Sequence, residues 1–269
     1  MMKTIRTASL NRSLLAVALA ALLPAAAFAQ TIVPGQIKVG MEITYPPFES
    51  WQGDKVVGFD PDMAEMLGRE MKTKPAFVDT KFPSLILGLG SGQFDTVISG
   101  MYITPERTAQ ADAIAYARTG ASIMVAKDGG VAPKTEQELC GLKVGLQQGT
   151  SWVAALKKLS AEYCVPNGKP AVAVSEFPTA PEVSQALLSK NVQAQLEIAG
   201  AAKMLAERSK GRIAISSPAL VYPQTLGIYV KKGNTALYQA FEKALAAVKA
   251  SGEYAALVKK YDLEPIAAK

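Results

Sequence analysis

From residue 37 onward, short apolar runs alternate with stretches in which apolar residues recur every three or four positions. The short runs fit buried strands and the longer period fits amphipathic helices. Their alternation predicts an α/β chain with a mostly parallel sheet covered by helices. Strands are expected at 37–41, 76–78, 95–99, 121–127, 142–146, 171–174, 192–196 and 226–231, with a further apolar segment at 213–216. Helices are expected after Asp60-Pro61, with Asp60 as N-cap and Met63, Met66, Leu67 and Met71 on one face, and at 85–89, 152–160, 181–190, 198–208, 234–250 and 253–261. The alternation breaks near Lys127 and again near Tyr222.

Several strand ends deliver polar loops. In an open α/β sheet, ligands bind beyond the carboxyl ends of the strands. The stretch 94–107 reads as a strand, an open loop at 100–103, and a helix begun by Thr104 as N-cap with Pro105 at its first position. Arg107 then lies in the first helical turn, where a cation opposes the macrodipole; an anion beside it would turn that cost into a gain, whereas a solvated surface arginine is the plain alternative. Pro46 and Pro47 hold Tyr45 and Phe48 on a stiff loop after the first strand, for ligand contact or for ordinary aromatic packing. Gly149-Thr150-Ser151 precedes a helix, which suits either an anion site or a simple cap.

Composition narrows the function classes. Residues 1–29 carry Lys3, Arg6 and Arg12, no acid, then an apolar run ending Ala27-Phe28-Ala29, the pattern of a cleavable signal peptide. No cysteine follows it to carry a lipid, so an exported, soluble protein is expected. Removing those three charges from a net +6 leaves +3, spread among acids, which disfavours a nucleic-acid role. The 269-residue chain has no histidine, so His-based triads and His-metal sites are excluded; no metal and no cofactor are expected. Cys140 and Cys164 are the only cysteines, and export favours one disulfide between them, contributing on the order of 3 kcal/mol, over two free buried thiols.

The run from Val39-Gly40 to Tyr45-Pro46-Pro47-Phe48, then Gly58-Phe59-Asp60-Pro61-Asp62, then 95–107, then Gly141-Leu142-Lys143-Val144-Gly145 with Gln148-Gly149-Thr150-Ser151, then Gly227-Ile228-Tyr229-Val230-Lys231-Lys232-Gly233, resembles the extracellular solute-binding proteins of family 3. These are the periplasmic components of polar amino-acid ABC importers. The ordered set covers essentially the whole mature chain. The resemblance implies a type II periplasmic-binding-protein fold of two lobes, each a mostly parallel sheet flanked by helices, joined by two hinge strands. It places one lobe at 31–122 plus 222–269 and the other at 123–221.

By the same resemblance the protein is a periplasmic, monomeric binder of a small carboxylate-bearing, amino-acid-like solute, which it delivers to an ABC importer's membrane permease by hinge closure. The ligand contacts then fall on Glu42, Tyr45 and Phe82, on Ser99, Gly100 and Tyr102, on Arg107 as the carboxylate partner, and on Thr150 and Ser151. A guanidinium fork suits a carboxylate because it offers two parallel charge-assisted hydrogen bonds. The chain departs from the family pattern in the second lobe. Ile198 stands where an aspartate usually receives the ligand's ammonium, and Gln193 replaces an earlier aspartate. Glu197 then either takes a cationic group or is a helix-start acid. Two other readings share the resemblance: an enzyme of the periplasmic cyclohexadienyl dehydratase type, with Glu42, Glu197 or a tyrosine as acid, and a ligand-presenting partner of a chemoreceptor.

Overall fold

The computed structural model describes residues 31–266; the expected signal segment lies outside the described residues. The chain opens with β1 (Gln36–Met41), a small meander of β2 (Thr44–Tyr45), β3 (Glu49–Gln52) and β4 (Lys55–Val57), then α1 (Phe59–Met71) and β5 (Lys74–Asp79). It continues through α2 (Leu85–Ser91), β6 (Thr96–Val97) and α3 (Pro105–Thr108) into the long β7 (Ala111–Ala126). A second series follows: β8 (Lys143–Gln147), α4 (Ser151–Leu159), β9 (Ala173–Phe177), α5 (Ala180–Leu188), β10 (Ala194–Ile198), α6 (Ala199–Arg208) and β11 (Ile213–Ile215). The chain returns on β12 (Val221–Lys231) and closes with α7 (Thr235–Ser251) and α8 (Glu253–Lys260).

The strands run β5-β1-β6-β12-β7-β10-β8-β9, with β11 also on β7. Parallel pairs β1–β5, β1–β6, β8–β9 and β8–β10 form the two wings, and the antiparallel pair β7–β12 joins them. Along β7, residues Ala111 to Thr119 pair with β12, whereas Ala121 to Met124 also pair with β10. One strand thus leaves the first lobe and enters the second, and the architecture is two-lobed α/β.

Two elements escaped the sequence pattern. The first half of β7, Ala-Asp-Ala-Ile-Ala-Tyr-Ala-Arg-Thr-Gly, is alanine-rich and intrinsically weak as a strand; its extended form follows from pairing with β12 along its length. The β2–β4 meander is too short to show a period. The expected strand at 95–99 is shorter than its apolar run: β6 holds only two residues, flanked by backbone bonds from Asp95 N–H to the Lys38 carbonyl at 2.9 Å and from Ile98 N–H to the Gly40 carbonyl at 3.3 Å, while the Asp95 carboxylate accepts the backbone N–H groups of Ile32 at 2.7 Å and Lys38 at 2.8 Å. The remainder turns away toward the site.

Asp60 is a correction. Gly58 occupies the cap position of α1, and Asp60, fully buried, faces inward instead. Its carboxylate accepts the Gly100 N–H at 2.6 Å and the Tyr116 hydroxyl at 2.6 Å. A buried backbone donor with no ladder partner needs an acceptor, and that need outweighs a solvent-side cap. The expected disulfide between Cys140 and Cys164 is present.

Candidate functional site

The carboxyl ends of β1 and β6 in one lobe face those of β8 and β10 in the other across a narrow cavity. Nine of the ten expected contact residues line it: Glu42, Tyr45, Phe82, Gly100, Tyr102, Arg107, Thr150, Ser151 and Glu197. Ser99 lies behind the wall, fully buried. Its hydroxyl accepts the Glu42 backbone N–H at 3.1 Å and donates to Glu49, so it fixes the first loop without facing the cavity.

The first lobe supplies the aromatic wall. Beyond β1 the chain turns through Pro46-Pro47, and Tyr45 stacks on Phe48 with ring centroids 5.4 Å apart. Phe82 lies under the Arg107 guanidinium, 5.4 Å from its ring centre. Thr104 caps α3 as expected by accepting the Arg107 backbone N–H at 3.3 Å. The guanidinium reaches back to donate to the Tyr102 carbonyl at 2.6 Å and across the cleft to the Gly149 carbonyl at 2.8 Å. Burial lowers its pKa from the usual arginine value, opposed by the nearby Tyr229 hydroxyl.

The lobes touch at further points. Tyr45 donates its phenol to Glu197, and the Gln147 side-chain amide donates to Glu42. The Tyr102 and Trp152 rings meet edge-on, with centroids 5.7 Å apart. Gly149 adopts φ 76°, and a Cβ there would lie 3.0 Å from the Pro83 Cα; this close approach across the cleft explains the glycine.

Three carboxyl groups border the cavity, and burial acts on each. The Glu42 pKa is raised by burial, a rise opposed by the Gln147 amide and by Lys81, whose Nζ is 3.8 Å away. Glu49 is pushed well above the usual carboxylate range by burial and by neighbouring Asp60, itself raised to about 6. Glu197 is raised to about 7 by burial, against the Tyr45 hydroxyl and the Ile198 N–H that stabilise its charge.

Glu197 sits in β10, and α6 begins at Ala199, so Glu197 is not a helix-start acid. Glu197 and Ile198 both border the cavity although successive strand residues normally alternate faces; they lie at the very end of β10, where the strand gives way to the helix and the cavity wraps round the strand tip.

Sequence reasoning missed Glu49, Gln147, Trp152 and Ile198 as wall residues. Gln147 and Trp152 had a legible signal: they flank Thr150-Ser151 at a strand end and in the first turn of a helix. Glu49 had none, since it belongs to the small meander.

Some wall atoms make no hydrogen bond within the protein. Glu42 Oε1, Glu49 Oε2, the Tyr102 hydroxyl, Ser151 Oγ and the Trp152 indole nitrogen are buried without a hydrogen bond. Buried polar atoms are nearly always paired, so their convergence on one cavity marks the place of a polar solute. Among the described residues no His, Cys, Asp and Glu cluster could hold a metal ion, and no helix is long and apolar enough to cross a membrane.

A family model described as bacterial extracellular solute-binding proteins, family 3, matches residues 37–264. The arginine-binding protein 1 of an Escherichia coli K12 ABC transporter is 30% identical over 244 residues, covering 88% of this chain and 94% of the relative. Among solved structures, an ancestral arginine-binding protein bound to arginine superposes with a TM-score of 0.76 at 32% identity, covering 84% of this chain and 98% of the other. An ancestral amino acid-binding protein that is a precursor of cyclohexadienyl dehydratase superposes with a TM-score of 0.73 at 28% identity, covering 84% and 95%.

Proposed function

Because this chain belongs to the bacterial extracellular solute-binding proteins of family 3, we propose that it captures a small carboxylate-bearing, amino-acid-like solute between its lobes and delivers it to the permease of an ABC importer. The observation that carries this reading is the cavity between the lobes, where Arg107 from one lobe and the start of α4 from the other converge. The guanidinium and the helix N-terminus both favour an anion. Glu42, whose Oε1 makes no hydrogen bond and has Lys81 Nζ 3.8 Å away, supplies an acceptor for a cationic group.

Residues 31–122 plus 222–269 form the first lobe in this reading and 123–221 the second, with β7 and β12 as the hinge; the partner exchange along β7 supports that division. The bound solute stabilises the closed arrangement by its differential affinity for it. The protein is exported through cleavage of residues 1–29, works in the periplasm and acts as a monomer. Glu42, Tyr45, Phe82, Gly100, Tyr102, Arg107, Thr150, Ser151 and Glu197 are its contact residues, and Ser99 supports them.

The test is a thermal-shift screen of the mature protein over amino acids, amines, amides and small organic acids. A ligand present at a hundred times its Kd adds about 2.7 kcal/mol to stability, enough to raise Tm clearly. No shift with any carboxylate overturns the reading. The likeness to a dehydratase precursor calls for one further assay: conversion of prephenate or arogenate by the purified protein overturns the reading as a binder alone.

A further inference from the structure

We infer that Glu49 is held as a neutral carboxylic acid that donates to the Asp60 carboxylate, and that this carboxyl pair positions the Ser99-Gly100 turn in the cavity wall. The pair stands apart from the solute-binding reading, since it holds whatever the solute is.

Glu49 opens β3, and Asp60 lies in the first turn of α1. The backbone sets them side by side. The Asp60 N–H donates at 3.0 Å to the carbonyl of Phe48, the residue before Glu49, and the Phe59 N–H donates at 3.0 Å to that of Pro47. Gly58 permits the approach: at its φ of 138° a Cβ would lie 2.1 Å from the Phe48 carbonyl oxygen. Both acids are 0% exposed, and among the described residues neither forms an ion pair.

Two neighbouring carboxyls in a dry site without a cation do not both ionise; one keeps its proton. The hydrogen bonds say which. Asp60 accepts the Tyr116 hydroxyl on one oxygen and the Gly100 N–H on the other, each at 2.6 Å, as an anion does. Glu49 accepts the Ser99 hydroxyl on Oε1, while Oε2 is buried and receives no donor. A proton on Oε2 makes it a donor itself, and Asp60 is the neighbouring charge that acts on Glu49 most strongly.

The other titratable groups facing Glu49 also oppose a charge there. Glu42 comes from the loop after β1, Tyr45 from β2 and Tyr116 from β7. The cations of the cavity are engaged elsewhere: Lys81 Nζ lies 3.8 Å from Glu42, and Arg107 donates to the Tyr102 and Gly149 carbonyls. Ser99 and Gly100 are each tied to one member of the pair, and Ser99 also accepts the Glu42 N–H at 3.1 Å. One shared proton thus fixes two strand-end loops, and its loss would set two charges against each other beneath them.

The first test needs no variant. In ¹³C-labelled mature protein, the assigned Glu49 side-chain carboxyl carbon should keep the chemical shift of a neutral acid at about pH 7, far above the ordinary glutamate value of about 4.3. The shift of an ionised carboxylate there overturns the inference.

Glu49→Gln puts a permanent N–H where the acid holds its O–H, so the variant should be at least as stable as the unaltered protein at about pH 7. A carboxyl whose pKa is raised on folding adds stability that is fully present below its unfolded value and lost as pH rises through the folded one. Between about pH 5 and pH 7, denaturant unfolding should show the folding equilibrium constant of the unaltered protein falling about tenfold per pH unit more steeply than that of the variant, the share of one proton. Equal slopes overturn the inference. Asp60→Asn, which sets an amide N–H against the Gly100 N–H or the Tyr116 hydroxyl, should be the less stable of the two variants. The reverse ranking puts the proton on Asp60 and overturns the assignment.

Discussion

Glu42 and Glu197 face one cavity from opposite lobes, each 3% exposed and each with its pKa raised by burial. Their partners differ. Glu42 takes the Gln147 amide on Oε2 and leaves Oε1 without a hydrogen bond, with Lys81 beyond it at 3.8 Å. Glu197 is internally satisfied: Oε1 accepts from the Tyr45 hydroxyl and from the Ile198 N–H at 3.0 Å, and Oε2 from the Gln195 amide at 3.4 Å. Both carboxyls thus take a bond from the opposite lobe, but Glu42 keeps Oε1 without a hydrogen bond beside Lys81, whereas both Glu197 oxygens accept one. The equal burial of the pair hides this difference in hydrogen bonding.

The largest expected effect tests the frame in which that comparison sits. Arg107→Ala removes the arginine that lines the same cavity, along with the donor to Gly149 across the cleft. Affinity for a carboxylate solute should fall by about 2–5 kcal/mol, the range for truncating one side of a buried charged hydrogen bond. Calorimetry that finds unchanged affinity removes Arg107 from the site.

Glu42→Gln should come next. For a solute with a cationic end the loss should be about 1.5–3 kcal/mol, the value of a hydrogen bond to a charged group; for a solute without one it should be small. Glu197→Gln, measured on the same cationic solute, should cost less than Glu42→Gln. The reverse ranking would break the comparison and make Glu197 the cation receptor.

How much of this was legible in the residues depends on where each signal lies. Tyr45, Arg107, Thr150 and Ser151 sit at strand ends or helix starts, and local rules about caps, prolines and sheet edges point to those positions. The α/β alternation and its breaks near Lys127 and Tyr222 were legible from the periods, whereas the two-lobed arrangement came from the family resemblance. Asp60 was misplaced because a cap signature is local, whereas its true partners, Gly100 and Tyr116, arrive from 40 and 56 residues away. The division between Glu42 and Glu197 was beyond local rules too: Gln147 reaches Glu42 over 105 residues, and Tyr45 reaches Glu197 over 152. Burial was foreseeable from apolar neighbours, but the identity of each partner was not.

The smallest expected effect isolates Glu197. In the closed cleft its pKa is about 7, raised by burial above the ordinary 4.5 that solvent restores when the lobes part. A group whose pKa is higher in the closed state binds a proton on closing. Its contribution to closure is therefore fully present below the open-state value and lost as pH rises through about 7. Affinity for a solute without titrating groups in this range should fall about tenfold from pH 6 to pH 8, which is about 1.4 kcal/mol. Calorimetry in buffers of different ionisation enthalpy should show proton uptake on binding near pH 6, and Glu197→Gln should flatten the profile and reduce the uptake to what Glu42, also raised by burial, contributes. A solute that set its cation on Glu197 would pull that carboxyl's pKa down and remove its share of the uptake from the unaltered protein as well. The two roles assigned to these carboxyls thus leave opposite marks on a quantity that needs no structure to read.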